Sequence, residues 1–348
     1  MLVLSPGRAL RNACASLLHR ERLGSGVFSC LAVRERTSWL ALWRSQRENR
    51  GEIGAERARI ASGSQIANTP CGPIEYAVAG SGPKVLLIHG AGGGFDQGLE
   101  LARPLVDNGF RVIAMSRFGY LRTPLPKDAS PEAQADAHAC LRNALNLDRV
   151  AVVGGSAGAP SAMQLCLRYP EHCLALGLLF PIAFAPGVAA KQPPRLFLFV
   201  IKTTLHSDFL YWAATKVARD TLFKTILATP PDDFWNAPDE EQARALEITR
   251  HILPISEREK GIWNDAAISA SIPRYDLEKF RVPTIVISAK DDLYGTYWKG
   301  RYTAEHIPGA RFVGYATGGH LLLGHSKETY VELSRFLHRM EKYILWNE

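Results

Sequence analysis

Short apolar runs and stretches of helical periodicity alternate in two parts of the chain, residues 66–180 and 281–348. Runs rich in β-branched and other apolar residues predict buried strands. They cover residues 84–88, 149–153, 174–180, 282–288 and 310–315. Directly after the second of these strands, apolar residues recur at helical spacing over residues 159–169. Such alternation is typical of a parallel sheet covered by helices, so we expect the two parts to form one α/β core.

The alternation stops in residues 181–280, where helical periodicity predicts an inserted helical cap. The predicted helices cover residues 195–205, 207–227, 239–253 and 257–270. The first two are rich in Leu, Phe, Trp and Tyr, which either line an apolar pocket or pack the cap against the core. Four aspartates of the cap are expected to be helix caps or solvated charges: Asp208, Asp220, Asp265 and Asp276.

A serine lies at the junction between one predicted strand and the helix that follows it. Gly154-Gly155-Ser156-Ala157-Gly158 has the pattern Gly-x-Ser-x-Gly, in which the flanking glycines permit a tight turn and the serine hydroxyl is held outward. The pentapeptide alone is weak support for catalysis. Ser156 is therefore a candidate nucleophile, provided that the other parts of a catalytic site are present.

A glycine-rich segment, His89-Gly90-Ala91-Gly92-Gly93-Gly94, directly follows the predicted strand 84–88. A serine that attacks a carbonyl creates negative charge, which must meet backbone N–H donors. The glycines allow this loop to turn its N–H groups toward one point, so we predict that the N–H groups of Ala91 and Ala157 form an oxyanion hole. A phosphate-binding loop is the alternative, but the segment lacks the spacing of a P-loop or of a dinucleotide site.

A serine hydroxyl also needs a base to take its proton, and an acid to orient the base. Asp291 and Asp292 follow the predicted strand 282–288, and both are candidates for the acid. Among ten histidines, His320 is the candidate base, because it follows the last predicted strand in a glycine-rich loop. The order Ser, Asp, His along the chain agrees with these roles.

Together these segments resemble the α/β-hydrolase superfamily over residues 70–345. The resemblance implies an α/β-hydrolase fold, a mostly parallel doubly wound sheet with an inserted helical cap. In the family pattern the acid lies three residues after a small residue that closes the strand, which corresponds to Asp292; Asp291 stays as the alternative. Residues 115–120 resemble the family's Asp-x-x-Gly-x-Gly segment, with Ser116 in place of the aspartate and Leu121 where a glycine is frequent.

The resemblance also implies a reaction. Ser156 attacks an acyl carbon with His320 as general base, the N–H groups of Ala91 and Ala157 stabilise the tetrahedral intermediate, and water hydrolyses the acyl-enzyme. The apolar cap favours an ester with a small-to-medium apolar acyl or alkyl group, and neither a cofactor nor a metal is needed. Two alternatives remain: hydrolysis of a carbon–carbon bond in ring-cleavage products, and a hydrolase-like binding protein without activity.

The first 60 residues contain eleven arginines, no lysine and five glutamates, which leaves 30 basic and 29 acidic residues in the rest of the chain. The nearly neutral remainder gives no reason to expect nucleic-acid binding. Residues 1–65 are predicted to form a poorly ordered extension, with an organellar presequence as the alternative. Within it, residues 39–43 are predicted to form a short docked helix, with contact to a membrane surface as the alternative.

Six cysteines show no metal-ligand spacing, and reduced thiols in the cytoplasm are expected; they are Cys14, Cys30, Cys71, Cys140, Cys166 and Cys173. Residues 173–190 are uncharged, but prolines and glycines interrupt them, so no membrane span is predicted. The expected partner is a small-molecule substrate, and the sequence leaves the oligomeric state open.

Overall fold

The computed structural model describes residues 47–188 and 201–347. Within these ranges, eight strands form one sheet in the order β1-β2-β4-β3-β5-β6-β7-β8. They are β1 Gln65–Thr69, β2 Gly72–Ala79, β3 Lys84–Ile88, β4 Arg111–Met115, β5 Val150–Gly155, β6 Cys173–Leu179, β7 Thr284–Ala289 and β8 Arg311–Tyr315. Strand β2 pairs antiparallel with β1 and β4, and the other pairs are parallel. The mostly parallel sheet predicted from the sequence is confirmed.

The five predicted strands all form, and their ends shift by at most two residues. Strands β3, β5, β6 and β7 occupy the middle of the sheet, where both faces are covered, and their continuous apolar runs reflect this burial. Strands β1, β2 and β4 were not predicted from the sequence. Strands β1 and β2 form an edge hairpin with exposed positions among buried ones and therefore no continuous apolar run. Strand β4 has such a run over its last four residues and was nevertheless missed.

Besides the helical residues 47–62 and 201–205, eleven α-helices accompany the sheet within the described ranges. They are α1 Phe95–Leu101, α2 Arg103–Asp107, α3 Pro131–Ala144, α4 Ala159–Arg168, α5 Asp208–Val217, α6 Arg219–Thr225, α7 Pro231–Asn236, α8 Asp239–His251, α9 Glu259–Ala270, α10 Thr296–His306 and α11 Ser326–Asn347. Side chains of α3, α4 and α10 share one apolar core with the sheet, and those of α2 and α11 share a second. None of the helices described here is both long and apolar enough to cross a membrane.

Helices α5 to α9 lie in the segment 181–280 that was predicted to be a cap. The described residues of this segment are called the cap below. The single helix predicted over residues 207–227 is two helices, because Ala218 has a non-helical backbone with φ of −131°. Of the helix predicted over residues 195–205, only 201–205 lie in the described part, and they are helical. Tyr211, Trp212 and Phe223 are buried in a third apolar core, so these aromatic side chains pack the cap rather than line an open pocket.

The chain divides into two compact units, Met1–Ala55 and Glu56–Glu348. Of the first, the structure describes residues 47–55, and they are helical; in the second, residues 56–62 are helical and β1 follows. The extension over residues 1–65 was predicted to be poorly ordered, but its described part, residues 47–65, is mostly helical. The segment 39–43, predicted to be a docked helix, lies outside the described residues.

Four of the six cysteines form two disulfide bridges, Cys71–Cys140 and Cys166–Cys173. The expectation of reduced thiols is wrong for these four. Cys71 lies in the turn between β1 and β2, and α3 passes close enough to this turn that the Cα atoms of Cys71 and Cys140 are 6.1 Å apart. The second bridge joins the end of α4 to the start of β6 across a short connection.

Candidate active site

Ser156 lies at a sharp turn between β5 and α4. The strand ends at Gly155, a single 3-10 turn covers Ser156–Gly158, and α4 begins at Ala159. Ser156 has a positive φ of 50°, which few non-glycine residues adopt. Such strain is expected where a serine hydroxyl must point out from a strand-to-helix turn.

His320 and Asp292 meet Ser156 in one chain of hydrogen bonds. The Ser156 Oγ lies 2.8 Å from the His320 Nε2, and the His320 Nδ1 lies 2.7 Å from the Asp292 Oδ2. The three side chains come from the carboxyl ends of β5, β7 and β8, which meet at the same edge of the parallel sheet. All three residues are less than a tenth exposed, so water screens their interactions only weakly.

The two adjacent aspartates have different contacts. Asp292 also accepts hydrogen bonds from the Tyr294 N–H at 2.8 Å and from the Thr296 hydroxyl. Asp291 instead accepts from the Gly318 N–H at 3.2 Å and from the Gly319 N–H at 2.9 Å. The structure therefore brings Asp292 to His320, whereas Asp291 holds the loop that carries His320.

The loop 89–94 passes directly beside the serine. A Cβ atom added at Gly90 would lie 3.0 Å from the Ser156 Cβ and 3.6 Å from its Oγ, so the close approach requires glycine there. The Gly92 N–H donates to the Tyr120 hydroxyl at 3.3 Å. Ala91 is exposed between these two glycines, and Ala157 follows Ser156 in the first turn after β5.

His89 is fully buried beneath this loop, with both ring nitrogens occupied. Its Nε2 accepts the Arg117 N–H at 3.0 Å, so Nδ1 carries the proton and donates to the Gly90 carbonyl at 2.7 Å. Burial, reinforced by the Arg117 charge, holds the pKa of His89 well below its usual range. A neutral His89 therefore supports the loop from inside.

Two buried ion pairs join the cap to this part of the core. Arg117 contacts Asp265 of α9. Arg258 contacts Asp96 of α1 with its two Nη atoms at 3.1 and 2.8 Å, and it also donates to the Gly93 carbonyl at 2.6 Å. Burial would raise the pKa of Asp96, but the charges of Arg258 and Arg59 hold it well below its usual range.

Sequence reasoning missed the residues of these pairs. Asp265 was expected to be a cap or a solvated charge, which is wrong because it is 3% exposed and its partner Arg117 is 148 residues away. The segment of Arg117 and Tyr120 was recognised, but its contacts were not. At the two departures from the family pattern, Ser116 donates to Glu75 at 2.8 Å, and Leu121 has a positive φ of 50°, a conformation that glycine adopts more readily.

One group of potential metal ligands occurs in the described ranges, formed by Glu100, Glu247 and His251. The His251 Nδ1 contacts Glu100 at 2.7 Å, and the Arg250 Nη2 lies 3.3 Å from the His251 Nε2. A guanidinium beside the remaining ring nitrogen opposes a cation. We interpret this group as a hydrogen-bonded cluster between α1 and α8.

Aromatic and aliphatic side chains lie beside His320 and the loop 89–94. The rings of Phe180 and Tyr294 lie 4.7 and 5.2 Å from the His320 ring, centroid to centroid. From the cap, the side chain of Ile252 reaches the loop, since it would lie 3.5 Å from a Cβ atom at Gly92. Leu321 follows His320 and is part of the apolar core of the cap. The surroundings suit an uncharged group better than an ion.

A family model described as the alpha/beta hydrolase fold matches residues 83–324, more than half of the chain. The uncharacterized hydrolase YraK of Bacillus subtilis (strain 168) is 36% identical over 107 residues, which cover 30% of this chain and 39% of the relative. A 2-hydroxy-6-oxo-6-phenylhexa-2,4-dienoate hydrolase of Comamonas testosteroni is 31% identical over 125 residues, 34% of this chain and 44% of the relative. The chain thus matches less than half of the length of either relative.

Similarity to a solved structure extends over more of the chain. The alpha/beta hydrolase fold protein from Nakamurella multipartita is 27% identical, with a TM-score of 0.64, and the match covers 79% of this chain and 98% of that chain. The sheet order, the turn at Ser156 and the family model lead to the same result. The chain belongs to the α/β-hydrolase family.

Proposed function

We propose that this chain is a serine hydrolase that cleaves the ester bond of a small-to-medium apolar substrate. The hydrogen-bonded chain Ser156–His320–Asp292 is the observation that carries the proposal. A serine hydroxyl, an imidazole and a buried carboxylate in this order form the group that activates a serine for acyl transfer.

In the proposed reaction, the Ser156 Oγ attacks the ester carbon while His320 Nε2 takes the hydroxyl proton. Asp292 accepts from the His320 Nδ1–H, which fixes the tautomer and stabilises the ring when it becomes positively charged. The tetrahedral intermediate then collapses, and His320 gives its proton to the departing alkoxide, which leaves as an alcohol. Water attacks the acyl-enzyme in the same way and releases the acid and the free Ser156.

The N–H groups of Ala91 and Ala157 are proposed to bind the oxygen of the intermediate. Ala157 directly follows the proposed nucleophile Ser156. Ala91 lies between Gly90, which approaches Ser156 closely, and Gly92. The Gly92 N–H is already used by the Tyr120 hydroxyl, so it is not a candidate. Two backbone donors with fixed directions are the usual means of stabilising such an oxygen.

The preference for an uncharged substrate is supported by the pairing of two buried arginines beside the loop 89–94. Arg117 and Arg258 are each paired with an aspartate, so neither is available to bind a substrate carboxylate. The apolar rings and aliphatic side chains beside His320 and this loop suit an acyl chain.

Carbon–carbon bond hydrolysis remains the second candidate, and the 31% identity over the matched residues to a 2-hydroxy-6-oxo-6-phenylhexa-2,4-dienoate hydrolase of Comamonas testosteroni supports keeping it. The same serine, histidine and aspartate would serve in either reaction. The two candidates differ in the substrate, and a substrate panel separates them.

The experiment measures hydrolysis of p-nitrophenyl esters from acetate to laurate, together with a vinylogous 1,5-diketone, by the native chain and Ser156→Ala. Ser334→Ala, which removes the hydroxyl of a buried serine on α11, is the matched control. We expect ester turnover that Ser156→Ala abolishes and Ser334→Ala retains. Turnover of the diketone alone would support the second candidate, and no turnover of either substrate would contradict both.

The cytoplasmic location is a further prediction, and the disulfide bridges weigh against it because stable bridges are uncommon in that compartment. Titration of free thiols in the chain unfolded without reductant tests the bridges. Six reactive thiols would restore the original expectation for a chain with six cysteines.

A further inference from the structure

Three side chains from distant parts of the chain form a buried polar cluster next to the loop 89–94. Arg117 and Tyr120 follow β4, and Asp265 lies on the cap helix α9. The Asp265 Oδ1 accepts from the Arg117 Nη1 at 2.8 Å, and its Oδ2 accepts from the Arg117 Nη2 and the Tyr120 hydroxyl, both at 2.5 Å. All three residues are at most 4% exposed.

The cluster contacts the loop on both sides of Ala91. The Arg117 Nη2 donates to the Gly90 carbonyl at 3.3 Å, where His89 Nδ1–H also donates. On the other side, the Tyr120 hydroxyl accepts the Gly92 N–H at 3.3 Å while it donates its own proton to Asp265. The loop is therefore held at the residue before Ala91 and at the residue after it.

Planarity of the peptide bond gives these contacts a consequence for the Ala91 N–H. The Gly90 carbonyl and the Ala91 N–H belong to one planar trans peptide and point in opposite directions. Arg117 and His89 hold the carbonyl on the inner side of the loop, so they also fix the direction of the N–H. Since Asp265 holds Arg117, a cap residue controls a donor that it does not touch.

Charge explains why Asp265 is needed for this arrangement. Arg117 is charged and buried, and it donates to the Asp265 carboxylate and to the Gly90 carbonyl. Burial and the Asp265 charge together raise the pKa of Tyr120 well above its usual value, so the hydroxyl keeps its proton and donates it to Asp265. Without the carboxylate, both side chains would lose the acceptor that orients them.

Backbone hydrogen bonds beside the cluster also attach the cap to the core. The Gly261 N–H donates to the Gly119 carbonyl at 3.0 Å, and the Leu121 N–H donates to the Glu257 carbonyl at 2.8 Å. These backbone bonds already fasten the start of α9 and the turn before it to the loop after β4. The polar cluster is therefore available for a second role.

We propose that Asp265 is a positioning residue for the oxyanion-binding loop: through Arg117 and Tyr120 it fixes the direction of the Ala91 N–H. The proposal rests on the proposed function of the Ser156 site. It implies that α9 is a fixed part of the catalytic site and does not move away as a lid when substrate enters.

Tyr120→Phe is the sharpest test, because it removes one hydroxyl and leaves the ion pair and the ring in place. Its matched control is Tyr211→Phe, which removes another fully buried hydroxyl, bonded to the Thr249 carbonyl at 3.0 Å in the cap. Asp265→Asn is the second variant. For each protein, kcat and KM for the preferred ester, the affinity for an aliphatic trifluoromethyl ketone and the melting temperature are measured.

We expect kcat to fall about 10-fold in Tyr120→Phe and about 100-fold in Asp265→Asn, with KM changed less than about twofold, because a misplaced donor harms the transition state more than the bound substrate. Affinity for the ketone, which forms a tetrahedral adduct with the serine, should fall in parallel with kcat. Unchanged kcat in both variants, or an equal loss in Tyr211→Phe, would overturn the proposal.

Amide hydrogen exchange of residues 89–94 tests the same proposal without substrate, so its result is independent of whether the proposed function is correct. Exchange should be faster in Tyr120→Phe and Asp265→Asn than in the native chain and in Tyr211→Phe. Equal protection in all four proteins would show that the cluster does not hold the loop. Absence of ester turnover in the native chain would instead count against the proposed function.

Discussion

The two sides of the site are built in opposite ways. On the nucleophile side, Ser156 is placed by its own neighbours, since strand β5, the turn and helix α4 follow one another without interruption. On the loop side, the segment 89–94 is held by Arg117, Tyr120 and Asp265, of which the last lies 145 residues beyond Tyr120. A local motif is sufficient to orient a hydroxyl, whereas the direction of a loop N–H depends on residues that only the complete fold brings together.

The loop side also has a second buried support. Arg258 is fully buried and donates to both Asp96 and the Gly93 carbonyl. The end of the loop at Gly93 is therefore held by the turn before α9, as its middle is held through Asp265. Both supports come from the cap. The cap therefore contributes to the geometry of the loop 89–94.

The largest expected effect tests the nucleophile side. Asp292→Asn should lower kcat about 10⁴-fold, because an amide favours the wrong tautomer of His320 while the geometry stays intact. Asp291→Asn is the matched control, since it differs by one position and Asp291 accepts from backbone N–H groups of the His320 loop rather than from the His320 ring. Ester hydrolysis under identical conditions provides the measurement. If Asp291→Asn were the more harmful change, the assignment of the acid would be reversed.

The next effect tests the loop side through stability. Asp96→Asn should lower the free energy of unfolding by about 3 kcal/mol, because it leaves the buried Arg258 without its counter-charge. Asp136→Asn breaks the Arg168–Asp136 pair, whose side chains are 41% and 37% exposed, and should cost less than about 1 kcal/mol. Urea unfolding at pH 7 gives both values. Similar losses in the two variants would mean that the loop side does not depend on Asp96.

The sign of the pH dependence follows from the lowered pKa of Asp96. A carboxylate with a depressed pKa in the folded state contributes stability above the unfolded pKa of about 4, and this contribution is lost as the pH falls toward the folded pKa. The difference between the native chain and Asp96→Asn should therefore be largest near neutral pH and decrease below about pH 4.

The nucleophile side of the site was easier to predict from the sequence than the loop side. Most central strands and the positions of Ser156 and His320 were predictable, because they combine a strand end with glycines in the turn that follows. Asp292 was preferred to Asp291 only through the resemblance to the family pattern. The structure places these three side chains together, but their catalytic roles stay a proposal. The edge strand β1 was not predicted, since its burial alternates with exposure.

The residues that hold the loop gave no comparable signal. Asp265 occurs in a helix with other polar residues, and in the sequence a buried aspartate there is indistinguishable from a solvated one. Its burial depends on Arg117, and no periodicity relates two positions 148 residues apart. The disulfide Cys71–Cys140 was missed for the same reason, because its cysteines lie 69 residues apart.

A third prediction concerns the contact between the two sides. A Cβ atom at Gly158 would lie 2.4 Å from the Ile88 carbonyl oxygen and 2.5 Å from that of His89, which are backbone atoms that cannot move independently. Gly158→Ala should therefore destabilise the fold by about 2 kcal/mol and lower kcat by separating Ser156 from the loop. At Gly155, an added Cβ would meet only the Phe180 ring at 3.6 Å, so Gly155→Ala should cost less than about 1 kcal/mol. Equal destabilisation by the two changes in urea unfolding would contradict a tight contact at Gly158.

The smallest effect concerns Asp233 on α7, whose carboxylate shares the Gly318 N–H with that of Asp291. Partial burial and the neighbouring Asp291 carboxyl raise the pKa of Asp233 to about 6. A carboxyl with a raised pKa in the folded state keeps its proton while the unfolded chain loses it, so stability should fall as the pH rises from about 4 to about 6 and then level off. Solvent screening limits the expected change to about 1 kcal/mol or less.

Asp233→Asn tests this expectation, because an amide retains hydrogen-bonding capacity without the charge. The variant should lose the decrease in stability between about pH 4 and 6 and should be slightly more stable than the native chain at pH 7. Asp232→Asn, a change at the exposed neighbouring position, should leave most of that decrease in place. Melting temperatures across this pH range provide the measurement. An unchanged slope in Asp233→Asn would mean that the titration of Asp233 does not cause the decrease. The repulsion between Asp233 and Asp291 would then not weaken the contact between α7 and the His320 loop, and the dependence on the cap would be confined to the loop side of the site.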